Sequence, residues 1–116
     1  MAYVDGFVVA VPTANKEAYV AFARRALPLF KEYGAIRLVE AWGDDVPHGK
    51  TTDFHMAVKA KEDETVLFAW VEWPSREIRD ACHSKMQDDP RMKDMGEMPF
   101  DGMRMIYGGF IPVVDE

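Results

Sequence analysis

The chain has 116 residues and a mass of 13.2 kDa, with 48% hydrophobic and 29% charged residues, which suits one domain able to bury a single core. Lys and Arg number 14 against 20 Asp and Glu, a net charge of −6; this acidic balance repels phosphate backbones and excludes a general nucleic-acid binder. Cys82 is the single cysteine, so an intrachain disulfide and a cysteine zinc cluster are excluded, in keeping with a reducing compartment.

Tyr3 to Val11 (YVDGFVVAV) is rich in β-branched and aromatic residues and meets Pro12, the pattern of a strand. A helix is predicted next, with Thr13 or Asn15 as its cap. Its apolar residues Tyr19, Phe22, Ala23, Ala26, Phe30 and Tyr33 recur at three- and four-residue steps. Pro28 predicts a kink within it and Gly34 its end. Ile36 to Trp42 is the second strand and Gly43 to Lys50 a loop. Thr52 to Ala60 has both helical and strand spacing. The reading favours a short helical turn, with Thr52 as candidate cap and Asp53 favourable at the N-terminus.

Val66 to Trp73 (VLFAWVEW) is the third strand, closed by Pro74. Ser75 caps a second helix over Arg76 to Gln87, with Ile78, Ala81, Cys82 and Met86 as its inner face and Asp89-Pro90 as its end. Arg91 to Gly102 is a Met-rich irregular stretch, and Met103 to Phe110 is the last strand. The longest apolar runs fall far short of the ~20 residues a membrane helix needs. No basic segment leads an apolar run at the start, so a cytoplasmic location without a membrane partner is expected.

The order β-α-β-β-α-β predicts an α+β, ferredoxin-like single domain over residues 1–116: a four-stranded antiparallel sheet with both helices on one face. The first and third strands should lie in the middle, the second beside the third and the fourth beside the first. Alternation within each strand suggests one small, aliphatic face suited to helix packing. The other is expected to carry Tyr3, Phe7, Trp42, Phe68 and Trp70, with the acids Asp5, Glu40 and Glu72 among them. Five large aromatics exceed what a monomer leaves in water, and the simplest cover is the same face of a second copy. The partner expected is therefore the chain itself.

Four segments carry a resemblance. Tyr3-Val4-Asp5-Gly6-Phe7, Ala41 to Pro47 (AWGDDVP), Gly49 to Phe54 (GKTTDF) and Met98 to Met105 (MPFDGMRM) resemble, in this order, a bacterial family known as domain of unknown function 1428. The likeness spans essentially the whole chain. It implies a ferredoxin-like chain of the dimeric α+β barrel superfamily, whose members include small monooxygenases, isomerases and stress-induced barrels. It implies no particular activity and no catalytic residues, since fold does not fix function.

Among single residues, Asp5, Glu40 and Glu72 are the candidate catalytic groups: a carboxylate in an apolar cleft has a raised pKa suited to proton transfer. Glu72 leads, because its strand is central and Trp70 and Trp73 flank it. Tyr3, Phe7, Trp42, Phe68 and Trp70 are the candidate ligand-binding surface, with His55, two residues after Asp53, at the cleft mouth. The histidines His48, His55 and His83 lack metal-ligand spacing, so no metal is expected. Met92, Met95 and Met98 have a spacing that suits a soft cuprous ion, but methionines of this kind more often read as flexible filler, and the segment 91–102 as a flap over the cleft. Cys82 reads as a small buried hydrophobe. Gly49-Lys50-Thr51 matches the end of a phosphate-binding loop, but the glycine that motif needs at its start is Asp44 here. No cofactor is expected. Two functions remain open: binding of a small apolar or aromatic molecule in the barrel or between helices and sheet, with or without cofactor-free catalysis, or a non-catalytic homodimeric module, stress-related or structural, whose barrel is packed shut.

Overall fold

A computed structural model describes residues 2–116. The elements run β1 (Tyr3–Pro12), a 3-10 turn (Thr13–Asn15), α1 (Lys16–Glu32), β2 (Arg37–Trp42), α2 (Phe54–Ala57), β3 (Glu64–Trp73), α3 (Arg76–Asp88), α4 (Pro90–Lys93), a second 3-10 turn (Gly102–Arg104) and β4 (Ile106–Phe110). The four strands form one antiparallel sheet in the order β2-β3-β1-β4. The fold is therefore the expected α+β, ferredoxin-like arrangement. Among the described residues no helix is long and apolar enough to cross a membrane.

Local chemistry explains most boundaries. α1 ends in a Schellman turn: Gly34 has φ 109° and donates to Lys31 O at 3.1 Å, while Ala35 donates to Phe30 O at 2.9 Å. A side chain at Gly34 would also meet Ile78 of α3 at 2.6 Å, so this glycine serves both the helix end and the α1–α3 contact. The Ser75 hydroxyl accepts the Ile78 N–H at 3.2 Å and starts α3, as predicted. Asp89 accepts the Arg91 N–H at 2.9 Å and starts α4, with Pro90 in the first turn.

Several expectations are corrected. Neither Thr13 nor Asn15 caps a helix with its side chain. Asn15 instead donates to Pro99 O at 3.1 Å, and the Thr13 hydroxyl pairs with that of Thr65 at 2.7 Å. The cap of α2 is Asp53, which accepts the Met56 N–H at 2.6 Å, rather than Thr52. Pro28 sits at an exposed position inside α1 and does not end the helix. On α3, Cys82 and Met86 are buried while Ile78 and Ala81 are exposed. The stretch predicted as irregular contains α4, and β4 starts at Ile106 because a 3-10 turn occupies Gly102–Arg104.

The largest correction concerns the two faces. Tyr3 pairs with Trp73, Asp5 with Val71, Phe7 with Ala69, and Val9 with Leu67. Leu38, Glu40 and Trp42 of β2 stand opposite Val71, Ala69 and Leu67. Residues directly opposite in a ladder share a face. Tyr3, Phe7, Trp42, Asp5 and Glu40 therefore lie on the helix side, against Tyr19, Ala23, Ala26, Leu29 and Cys82. Phe68, Trp70 and Glu72 lie on the opposite side with Val4, Val8, Ile106 and Phe110.

That opposite face stays largely open. The α2 segment covers one part of it, with Val58 on Val8, Ala10 and Val66 and Phe54 against the edge of Phe68. Phe68 is 46%, Ile106 46% and Phe110 60% exposed. Gly6 and Gly108 face each other across the β1–β4 ladder, and the Phe110 ring lies over both, 3.5 and 3.6 Å from where their Cβ atoms would be. The chain is a slab 38 × 37 × 21 Å, the thickness of one sheet and one helix layer.

Candidate functional site

β2 is an edge strand, and its inward side chains Leu38, Glu40 and Trp42 face α1. Tyr19, Ala23 and Leu27 recur along α1 toward the same strand. Helix and edge strand enclose an open cleft of about 270 Å3 with mainly aliphatic and aromatic walls. Tyr19, 3% exposed, donates its hydroxyl to Glu40 Oε1 at 2.7 Å. A buried tyrosine hydroxyl needs a partner, and Glu40 supplies it.

Burial pushes the Glu40 carboxyl above its ordinary pKa of 4.5, and the Tyr19 hydrogen bond offsets part of the rise. The Tyr19 hydroxyl is itself pushed well above 10.0, by burial first and then by the Glu40 charge and hydrogen bond. A carboxyl raised in the folded state binds its proton more tightly there than in the unfolded chain. Its contribution is favourable below 4.5 and is lost as pH rises through the raised folded value. Ionising Glu40 thus costs more in the fold than in the unfolded chain, the behaviour of a group suited to exchanging a proton or holding a polar ligand. Among the described residues no Lys or Arg lies within ion-pair distance of it.

Asp5 occupies a different setting. It accepts the Trp73 indole N–H at 2.9 Å and the Arg79 Nε–H at 2.9 Å, with a second Arg79 nitrogen at 2.8 Å and His83 Nε2 at 3.3 Å. The Arg79 guanidinium lies 5.1 Å over the Tyr3 ring. Gly109 makes this crossing feasible, since a Cβ there would sit 2.1 Å from the Tyr3 hydroxyl and 2.5 Å from Arg79. Asp5 and Tyr3 are thus committed to an ion-pair and hydrogen-bond network that joins β1, β3 and α3.

Glu72 is on the open face. It accepts the Trp70 indole N–H at 3.0 Å, faces Arg37 at 3.7 Å and keeps 33% of its side chain exposed. Phe68 meets Phe54 edge-on at 6.3 Å and Trp70 at 5.8 Å on the same side. His55 contacts Val46 O at 3.0 Å through Nε2 and stacks on His48 at 4.2 Å. With Asp53, it ties the 43–60 segment together away from Glu40. The Gly49 N–H donates to Asp53 at 2.9 Å, which makes the GKT segment a turn closed by a carboxylate. Cys82 is buried, and its thiol is pushed up to about 11 by that burial and then by the Asp5 charge. Among the described residues no group of three or more His, Cys, Asp or Glu side chains is arranged to hold a metal.

Of the predicted site residues, the cleft brings together Glu40 and Trp42, with Phe7 packed in the adjoining core cluster. It leaves Asp5, Tyr3, Glu72, Phe68, Trp70 and His55 elsewhere. The missed members are Tyr19, Lys16 and Arg24 of α1, all of which line the cleft. Tyr19 gave one signal, a hydroxyl that it shares with Tyr33 on the apolar helical stripe.

Comparison with known proteins adds the following. The family model described as protein of unknown function, DUF1428, matches residues 2–102. The protein YbaA of Escherichia coli K12 is 64% identical over 117 residues, covering 100% of both chains, and YbaA of Shigella flexneri matches equally. Among solved structures, a dimeric ferredoxin-like protein from an uncultured marine organism superposes with a TM-score of 0.63 at 10% identity, over 99% of this chain and 98% of that one. Rv0793 from Mycobacterium tuberculosis superposes at 0.51 and 14% identity, with the same coverage. At these identities the likeness shows the fold alone.

Proposed function

This chain belongs to the DUF1428 family of proteins of unknown function, and from that premise we propose that it is a homodimer whose α1–β2 cleft binds a small apolar or aromatic molecule, with Glu40 and Tyr19 as its polar anchor. One observation carries the reading: a carboxyl raised by burial, bonded to a single hydroxyl, lines an open apolar cleft. Such a group costs stability in its ionised form and gains a purpose if a ligand takes or shares its proton. The cleft's volume is close to the lower range for small-molecule sites.

The dimer is supported by the open sheet face, where Phe68, Trp70, Ile106 and Phe110 cluster. A patch of this kind is larger than isolated surface hydrophobes. The structurally similar marine protein is dimeric. Covering that face leaves the α1–β2 cleft on the far side of the sheet.

Native mass spectrometry on protein taken from cells without a ligand-stripping step tests both parts. The expected spectrum is a dimer carrying a small-molecule mass, with the mass lost when Leu38→Trp fills the cleft. A bare dimer in the unsubstituted protein would contradict the ligand and favour a packed, non-catalytic module. A bare monomer would contradict the dimer as well.

A further inference from the structure

Lys16 and Arg24 stand at the two ends of the cleft, separated by a little over two helical turns, about 12 Å along α1. Between them lie Tyr19 and Glu40. Lys16 places its ammonium 5.6 Å over the Trp42 ring and forms no ion pair among the described residues. Arg24 differs from every other arginine of the chain. Arg37, Arg76, Arg79, Arg91 and Arg104 each face a carboxylate, and Arg25 donates to Met95 O. Among the described residues Arg24 has neither kind of partner, although acids outnumber bases in this chain by 20 to 14.

We propose that the ligand of this cleft is an organic carboxylate on a small aromatic or branched apolar body, its anionic group held by Arg24. The inference rests on the cleft reading above and narrows it to one chemical class. A guanidinium presents a planar fork that matches a carboxylate with two parallel hydrogen bonds. Leu27 and Leu38 supply the apolar wall beside it, and Leu67, opposite Trp42, lines the other end. The Tyr19–Glu40 pair then meets the ligand's other end, where a hydroxyl or carbonyl would complete the unused Glu40 oxygen or share its proton. Lys16 adds positive potential at that end of the mouth. A second anion against Glu40 is disfavoured by like charge, so the carboxylate points toward Arg24 and the orientation is fixed.

Benzoate and its neutral counterpart benzamide separate the claims. Binding of each is followed by amide chemical-shift changes in the full-length protein. Benzoate is expected to perturb Leu27, Leu38 and Glu40 and to bind at least about tenfold more tightly than benzamide. Arg24→Gln should remove that preference while leaving benzamide affinity unchanged. Arg24 is exposed on α1 and glutamine is a good helix former, so the variant should fold. Equal binding of the two probes, or an equal loss of both in the variant, would overturn the carboxylate assignment and leave the cleft reading standing. Shifts that avoid the cleft for both probes would overturn the cleft reading itself, and this assignment with it.

Discussion

Asp5→Ala is expected to lower the unfolding free energy by about 3 kcal/mol or more, seen as a fall in the urea midpoint at unchanged slope. The side chains of Asp5 and Arg79 are 15% and 16% exposed. Removing the carboxylate leaves a largely buried guanidinium with only the half-exposed Asp80, 2.7 Å away, as its partner, and the indole N–H of Trp73, which is 0% exposed, without its acceptor. The loss would be a large share of the ~5–15 kcal/mol typical of a domain. Glu32→Ala is the matched control: Glu32 pairs with Arg91 where both side chains are 54% exposed. Such a surface pair contributes under about 1 kcal/mol. Equal effects of the two substitutions would show that the Asp5 network does not anchor α3 to the sheet.

Phe68→Arg is expected to convert the proposed dimer to a monomer. Phe68 is 46% exposed and lies amid Trp70, Phe54 and Phe110 on the open face. Across a two-fold interface a single substitution acts twice, and each new charge would lose its water. A cost of about 2 kcal/mol or more is the scale of a central aromatic, about thirtyfold in Kd. Sedimentation equilibrium should give two chains for the unsubstituted protein and one for the variant, with far-UV circular dichroism unchanged. A variant that still sediments as two chains would place the interface elsewhere.

The sequence made the element order legible because its signals are local. Pro74-Ser75 before α3, Gly34 after α1 and Asp89-Pro90 after α3 each act within one turn of chain, whereas α4 was not foreseen. Which strand faces share a side was not legible. Alternation assigns two sets within each strand, yet carries no phase between strands. The β2–β3 connection spans 43–63, too long for a tight turn to fix the register. The register that pairs Tyr3 with Trp73 therefore emerges only from the assembled sheet, and it sends Glu40 and Trp42 to the helix side and Glu72 and Trp70 to the other.

The site shows the same division. Asp5 among Val4, Gly6 and Phe7 announces a carboxylate in an apolar strand, and such a group calls for a cation. Nothing local identifies Arg79 as that cation, since it sits on α3 as one charge among several. Glu40 could be listed from strand alternation. Its bond to Tyr19 joins two elements that meet only after the crossover, and it is this bond that separates Glu40 from the other two acids.

The central claim is that Glu40 is a carboxyl raised by burial in an open cleft. Its titration, followed through the side-chain carboxyl carbon by NMR, tests this most directly. The expected midpoint lies above 4.5, and Tyr19→Phe should raise it further because the lost hydrogen bond favours the ionised form. A midpoint at or below 4.5, unmoved by Tyr19→Phe, would mean that Glu40 keeps its water and that the cleft is only a groove on the surface.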